Sequence, residues 1–593
     1  MHRRLHEVAA AVALALAAAG SAMAAQESAS TDPDLEEVVV YGRGERLIGE
    51  ARAASEGTVG GADLGVRPLL RVAELLEVVP GLIAAQHSGS GKANQYFLRG
   101  FNLDHGTDFA AFVDGVPMNL RTHGHGQGYL DVNGLIPELI ERIDFRKGPY
   151  RADLGDNALA GASFLHTVPR FAAPFASVEA GEYGWLRAAA GGSHMLGNGE
   201  LTAAAQWKTY DGPWQLSEDL KHVSTYLKYA EATGFGRWEA SLASYDASWR
   251  PTEQIPERAI GTSVCADAFC AIDTSATGDT QRHIATLRLT GSDWGATVYG
   301  QYYNWNMYSD STYDFQIRQW DKRFIYGARG QKSLQLLPKL QLTTGGEARL
   351  DDIRKVQVDH TLQRQFVDYV AAHRARELSL AGFAEASWKP VDGVRVMAGL
   401  RADHFDFRTR ATQPGFLGGH ASDSILSPKL ALAWEISDTV EAYANWGRGF
   451  HSNDSRGVTA SVPAVPGLVK GTGEELGARY QRGAFSFTAT YWWLEVDSEL
   501  KFVGDSNSVE PGASSRRRGY ELVSFWRPFP QLAIDASFTV SRAPLFRRAG
   551  GAGRDAYRRR DRIGRRTGRV VHRWPVGDFG TAASPGSLPA GRG

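Results

Sequence analysis

The sequence predicts an antiparallel membrane β-barrel with a small mixed α+β domain on its N-terminal side. Three observations carry this. The chain has 593 residues, 43% of them hydrophobic, with 66 glycines and 15 tryptophans, yet no apolar run long enough to cross a bilayer as a helix. From about Phe171 onward, apolar and polar residues alternate through long segments, the period of a strand with one lipid face and one lumen face. Before that point, short apolar segments alternate with Gly- and Asp-rich turns, which reads as short strands in tight connections. A soluble multidomain protein shares the bulk composition, so the patterning decides.

In chain order, residues 1–24 read as a secretory leader. Arg3 and Arg4 give a positive start, Val8 to Ala19 an apolar stretch, and Ala22-Met-Ala24 a small-x-small cleavage site. Residues 25–50 are expected to be a flexible N-terminus, polar over 26–35. Within 51–170, Leu69, Val72, Leu75, Leu76 and Val79 fall at helical spacing between Pro68 and Pro80-Gly81. Strands are expected at Gln95–Leu98, Phe109–Val113 and Arg142–Phe145, with turns at Asp114-Gly115 and Lys147-Gly-Pro149.

Four pieces of this region stand in a telling order. They are Val72-x-Glu-Leu-Leu-x-x-Val-Pro-Gly-Leu82, Phe97-Leu-Arg-Gly-Phe101, Val113-Asp-Gly-Val-Pro117 and Glu141-Arg-Ile-Asp-Phe-Arg-Lys-Gly-Pro149. Together they resemble the plug of TonB-dependent outer-membrane receptors, and the resemblance extends to about residue 542. It implies a plug, residues 51–170, folded inside the lumen of a barrel, residues 171–542, of the 22-stranded type. Residues 36–42 (Glu36, Glu37, Val38, Val39, Val40, Tyr41 and Gly42) resemble the TonB box. A short β-prone segment on a flexible tether can pair with a free sheet edge of a partner. Alone, the same residues read better as the first plug strand; their place just upstream of the plug reverses that and favours the docking segment. The implied partners are TonB with ExbB and ExbD, outer-membrane lipid and an extracellular small-molecule or metal-complex ligand, with no nucleic acid. The resemblance also implies that plug charges, among them Arg99, Glu138, Glu141, Arg142 and Arg146, pair with the barrel wall. Residues 25–35 leave no room for a folded signalling domain, which argues against a transcription-signalling receptor.

Two plug segments are unusual, Asp104-His-Gly-Thr-Asp108 and Thr122-His-Gly-His-Gly-Gln-Gly-Tyr129. Glycine-rich backbone can approach a ligand closely, so Asp104, His105, Asp108, His123, His125 and Tyr129 are the candidate ligand-binding residues. His123 and His125, two apart, share a face if the segment is a strand, and imidazole suits zinc, copper, iron and nickel. No fixed metal-ligand spacing is present; hydrogen bonding within plug loops is the competing reading. The two cysteines, Cys265 and Cys270, lie in one predicted loop and are expected to form a disulfide at its tip.

In the barrel region, Trp294, Ala296, Val298 and Tyr302 share one face, and Thr297, Tyr299, Gln301 and Tyr303 the other. Val394, Val396, Ala398, Leu400 and Ala402 are expected outside, with Arg395, Arg401 and Asp403 inside. Turns such as 389–393 belong at the periplasmic end and stretches such as 251–279 outside the cell. Trp238, Trp388, Trp434 and Trp492 suit an aromatic girdle.

The alternation stops after Ser541. Residues 543–593 hold twelve Arg, no Lys, no Glu and three Asp, giving +9, so the rest of a chain of net charge −1 carries −10. At roughly 23 residues per strand with its connections, 171–542 accommodates about 16 strands, fewer than 22. Two readings of the tail follow: a basic appendage attracting polyanions, or a shifted reading frame that replaces the last strands. No nucleophile–base arrangement or closed metal motif emerges. The sequence therefore points to a transporter rather than an enzyme, without a resident cofactor. Its cargo is expected to be a ferric siderophore or other metal complex, with free metal such as zinc, a purely sensing receptor or a non-functional copy as alternatives.

Overall fold

The computed structural model describes residues 47–543, apart from 312, 461–463, 499–500, 504–507, 511–513 and 530, together with 545–546 and 570–571. The expected leader, the expected docking segment 36–42 and most of the basic tail lie outside the described residues. No described helix is long and apolar enough to cross a membrane.

The N-terminal domain is built on a five-stranded sheet. Glu56–Gly60 lies antiparallel to Ile140–Lys147, which lies antiparallel to Gly161–Thr167. That strand pairs in parallel with Phe109–Val113, which turns into Val116–Pro117. The expected strands at Gln95–Leu98 and Phe109–Val113 form with those bounds. The helix is shorter than expected, a 3₁₀ helix over Val72–Val78. The Glu74 carboxylate accepts the backbone N–H groups of Leu70 and Arg71, which fixes the start four residues after Pro68. Val72, Leu75, Leu76 and Val79 are buried in one core with Tyr96, Phe109 and Ile143, while Leu69 packs at its margin.

Seventeen long strands then run from Phe175–Ala180 to Leu532–Arg542, each antiparallel to the next in one sheet. Two-residue strands at Leu545–Phe546 and Val570–Val571 add to Ser514–Phe529 and Leu532–Arg542. Among the described residues, Phe175–Ala180 pairs on one edge only, with Leu186–Leu196. Alternation sets the faces: Thr297, Tyr299, Gln301 and Tyr303 are buried toward the lumen while Val298 is exposed. Arg395, Arg401 and Asp403 likewise point in and Leu400 out. Trp388 and Trp434 are exposed at strand ends, but Trp492 faces the lumen inside Phe485–Val496 and is fully buried. The plug fills that lumen, its core continuing onto Val469, Trp492, Leu494 and Val496 of the wall.

Candidate functional site

Arg99 and Gly100 form the tight turn between Gln95–Leu98 and Phe101–Asn102, both with positive φ (48° and 73°). The turn drives Arg99 outward into the wall, where it bonds Glu475 at 3.0 Å and Glu521 at 3.1 Å with every group buried. Its guanidinium also lies 5.1 Å from the Trp492 ring. Lys147 completes the cluster by bonding Glu521 and donating to the Pro80 carbonyl. Two cations and two carboxylates thus cancel out of water, the condition under which buried charge is tolerated. Burial pulls the Arg99 guanidinium down, but Glu521 and Glu475 more than offset it and hold it charged.

Glu138 is the second anchor, gripped by both terminal nitrogens of Arg187 at 2.6 and 2.8 Å. Two expected wall contacts turn out otherwise. Arg142 pairs with Asp144 at 3.3 Å and Arg146 with Asp153 at 2.8 Å, all within the plug. In Ile140–Lys147 these arginines alternate with buried Ile143 and Phe145, so they stay on the sheet face where neighbouring plug carboxylates lie. Glu141 is half-buried beside them. Cys265 and Cys270 are bonded, Cα atoms 5.5 Å apart, in the loop between Gly236–Trp249 and Thr277–Thr290.

The histidine segment is a loop between Asn119–Leu120 and Tyr129–Leu130, not a strand. The wall dictates this by bonding its backbone: Asp321 accepts from Gly124 N–H, Arg323 donates to the Thr122 carbonyl and Arg456 to that of His123. Gln127 and Thr122 also bond Asn453 and Ser455, at the head of a short inward-folded helix, Ser455–Thr459. Gly106 (φ 139°) lets the His105 loop close on this segment, since a Cβ there would meet the Leu130 Cβ at 2.4 Å.

The six candidate residues do not act as one set. Asp108 is taken by His451 of the wall at 2.8 Å, both buried, so it fastens the plug. Tyr129 is buried, its hydroxyl accepting from Ala93 N–H at 2.9 Å and its ring stacked on His123 at 4.0 Å. His123 is committed on both nitrogens: Nδ1 accepts from His125 N–H at 3.1 Å and Nε2 lies 3.2 Å from the Tyr303 hydroxyl. His105 and His125 meet, Nε2 to Nε2, at 2.9 Å, and Asp104 stands 3.6 Å from His105 Nε2. Burial pushes His105 down to about 3, partly opposed by Asp104, and holds His123 and His125 well below their ordinary range. All three rings are therefore neutral at pH 7, the state in which imidazole accepts a metal.

A cavity of about 740 Å³ opens above them at the long-loop end, with His87 in its wall. Carboxylates outnumber cations there: Glu179, Glu182, Glu218, Glu253 and Asp273 against Arg71 and Lys208. The His87 ring lies 5.0 Å from that of His105, and burial pushes His87 down to about 4. A second cavity, about 730 Å³, lies at the short-turn end, under the plug turn Asp114-Gly115. Sequence reasoning missed Glu475, Glu521, Asp321 and Arg187; the signal was a charged residue on the lumen side of a strand.

Comparison with known proteins agrees with this architecture. The family profile "TonB dependent receptor-like, beta-barrel" matches residues 196–590, and "TonB-dependent Receptor Plug Domain" matches 51–162. The chain belongs to the TonB-dependent receptor family, a family of receptors and not of enzymes. It is 25% identical over 190 residues to the vitamin B12 transporter BtuB of Vibrio vulnificus, a match spanning 29% of this chain and 30% of that one. Among solved structures it resembles the unliganded ferric citrate transporter FecA, with a TM-score of 0.71 at 15% identity over 84% of this chain and 79% of that one. The copper transporter OprC gives a TM-score of 0.66 at 16% identity over 83% and 80%. These structural likenesses concern the fold alone.

Proposed function

We propose that this chain is an outer-membrane receptor, exported by its leader, that takes up a scarce metal ion or metal complex when TonB, with ExbB and ExbD, pulls on residues 36–42. The observation that carries the reading is how the plug is held. It occupies the lumen and is fastened through ion pairs and hydrogen bonds: Arg99 to Glu475 and Glu521, Glu138 to Arg187, Asp108 to His451. A plug held so blocks free diffusion, yet its contacts can be broken in small groups by a local pull, as regions of low local stability open first. The neutral imidazoles beneath an acid-lined cavity favour metal-containing cargo, and the names of the fold relatives, ferric citrate and copper transporters, are in keeping with that.

The test is deletion of 36–42 in the full chain, with radioactive zinc and a ferric chelate as probes. Energised uptake is expected to vanish while binding to whole cells persists. Equal uptake with and without the segment would mean a passive pore.

A further inference from the structure

We propose that His105 and His125, with Asp104 beside them, bind one divalent cation of borderline softness, such as Zn²⁺, entering from the acid-lined cavity past His87. This deepens the metal-uptake reading above and rests on it for purpose, though the site can be tested without transport.

His105 Nδ1 lies 3.0 Å from the Ala93 carbonyl and 3.2 Å from that of Asn94. Carbonyl oxygens only accept, so His105 carries its proton on Nδ1 and its Nε2 is an acceptor. Gln319 donates its amide nitrogen to the Gly124 carbonyl at 3.2 Å, which turns its oxygen toward His125 Nδ1 at 3.0 Å. His125 therefore carries its proton on Nδ1 as well, and its Nε2 is also an acceptor. Two acceptor nitrogens then face each other at 2.9 Å. That approach needs a cation between them, either an additional proton or a metal ion.

The surroundings favour the metal. In a tetrahedral zinc site with bonds of about 2.05 Å, ligand atoms stand about 3.3 Å apart. The His105–His125 separation of 2.9 Å and the His105–Asp104 separation of 3.6 Å straddle that value. Among the described residues no group of three His, Cys, Asp or Glu stands ready-made around an ion, so Asp104 has to move in. Its side chain is 45% exposed and can do so. A protein set of two nitrogens and one oxygen leaves a fourth position for water or an incoming ligand, as in zinc sites that exchange. Both backing contacts, Ala93–Asn94 on one ring and Gln319 on the other, are the outer partners that fix the tautomer of metal-binding histidines. Lys92 is the opposing charge. Its Nζ lies 3.4 Å from His87 Nε2, on the entry side.

Zinc affinity of the purified full chain, measured by competition with a fluorescent chelator, tests this. Wild type is expected to bind one tight Zn²⁺, and His105→Ala or His125→Ala to weaken it at least about 100-fold, the upper end of what loss of a supporting partner alone does. Lys92→Gln, which removes the opposing charge, is expected to tighten binding. Zinc-edge X-ray absorption of wild type is expected to show two imidazoles plus oxygen at about 2.0–2.2 Å, a reading that needs no variant to fold. Absence of tight zinc in wild type, or full affinity in both single variants, overturns the proposal and leaves a shared proton between the rings. Zinc bound normally but uptake unaffected by deleting 36–42 sinks the transport reading instead and leaves the site standing.

Discussion

Replacing Arg99 with Ala removes the one cation that bonds both Glu475 and Glu521. Lys147 still answers Glu521, but among the described residues Glu475 keeps only the hydroxyl and N–H of Ser55. Breaking a buried ion pair from one side costs about 3–5 kcal/mol, since the remaining charge stays out of water. At about 1.4 kcal/mol per decade, that raises the population of an opened plug roughly 100- to 4,000-fold. Hydrogen exchange by mass spectrometry reads it directly: peptides covering 95–103 and 140–150 are expected to exchange faster by that factor, with barrel peptides unchanged as the internal reference. Arg99→Met with Glu475→Gln removes one charge of each sign and leaves Lys147–Glu521 intact, so most of the protection is expected to return. Unchanged plug exchange in Arg99→Ala, in a barrel that still shifts on an unboiled gel, refutes the view that this cluster seats the plug.

Two further outcomes follow from the other contacts. Glu138→Ala is expected to loosen the plug by only about 1 kcal/mol, because Glu138 is 31% exposed and Glu179 bonds the same Arg187 at 2.7 Å; plug peptides near 135–141 should exchange severalfold faster, and no more. Burial pushes Glu253, in the outer loop, up to about 7. The folded loop thus keeps a proton that the unfolded one releases near its ordinary value, so loop stability falls as pH rises from about 4.5 to 7. Proteolysis of the 250–276 loop is expected to be faster at pH 8 than at pH 5, and Glu253→Gln to flatten the difference; an unflattened profile assigns the effect elsewhere.

Much of the fold was legible because period-two alternation is local. Arg395, Arg401 and Asp403 point into the lumen as their spacing demands, and Phe109–Val113 forms with its predicted bounds. The 3₁₀ helix was overextended because spacing alone does not reveal that Glu74 takes the N–H groups of Leu70 and Arg71. His123 and His125 share no strand face because the wall, some 200 to 330 residues later, claims the loop's backbone. For the same reason the anchors are half visible: Arg99 stands in a recognisable motif, while Glu475 and Glu521 stand in none, 376 and 422 residues away. The resemblance points Arg142 and Arg146 to the wall, but local sheet geometry gives them the nearer partners Asp144 and Asp153.

The residues that lead into the plug are tied to the wall in series. Leu47 N–H bonds Gln481, Gly49 N–H bonds Glu441, and Ser55 bonds Glu475 through both N–H and hydroxyl. Glu56–Gly60 comes next, at the edge of the plug sheet and paired on one side only. A tension applied at the N-terminal end therefore meets hydrogen bonds and the Arg52–Glu385 ion pair one after another before it loads any strand. The last of these ties ends on the same carboxylate that grips Arg99, at 2.6 Å from Ser55 and 3.0 Å from the guanidinium. Mechanical work applied ahead of Leu47 is thus delivered, through one shared Glu475, to a fully buried electrostatic joint between plug and wall.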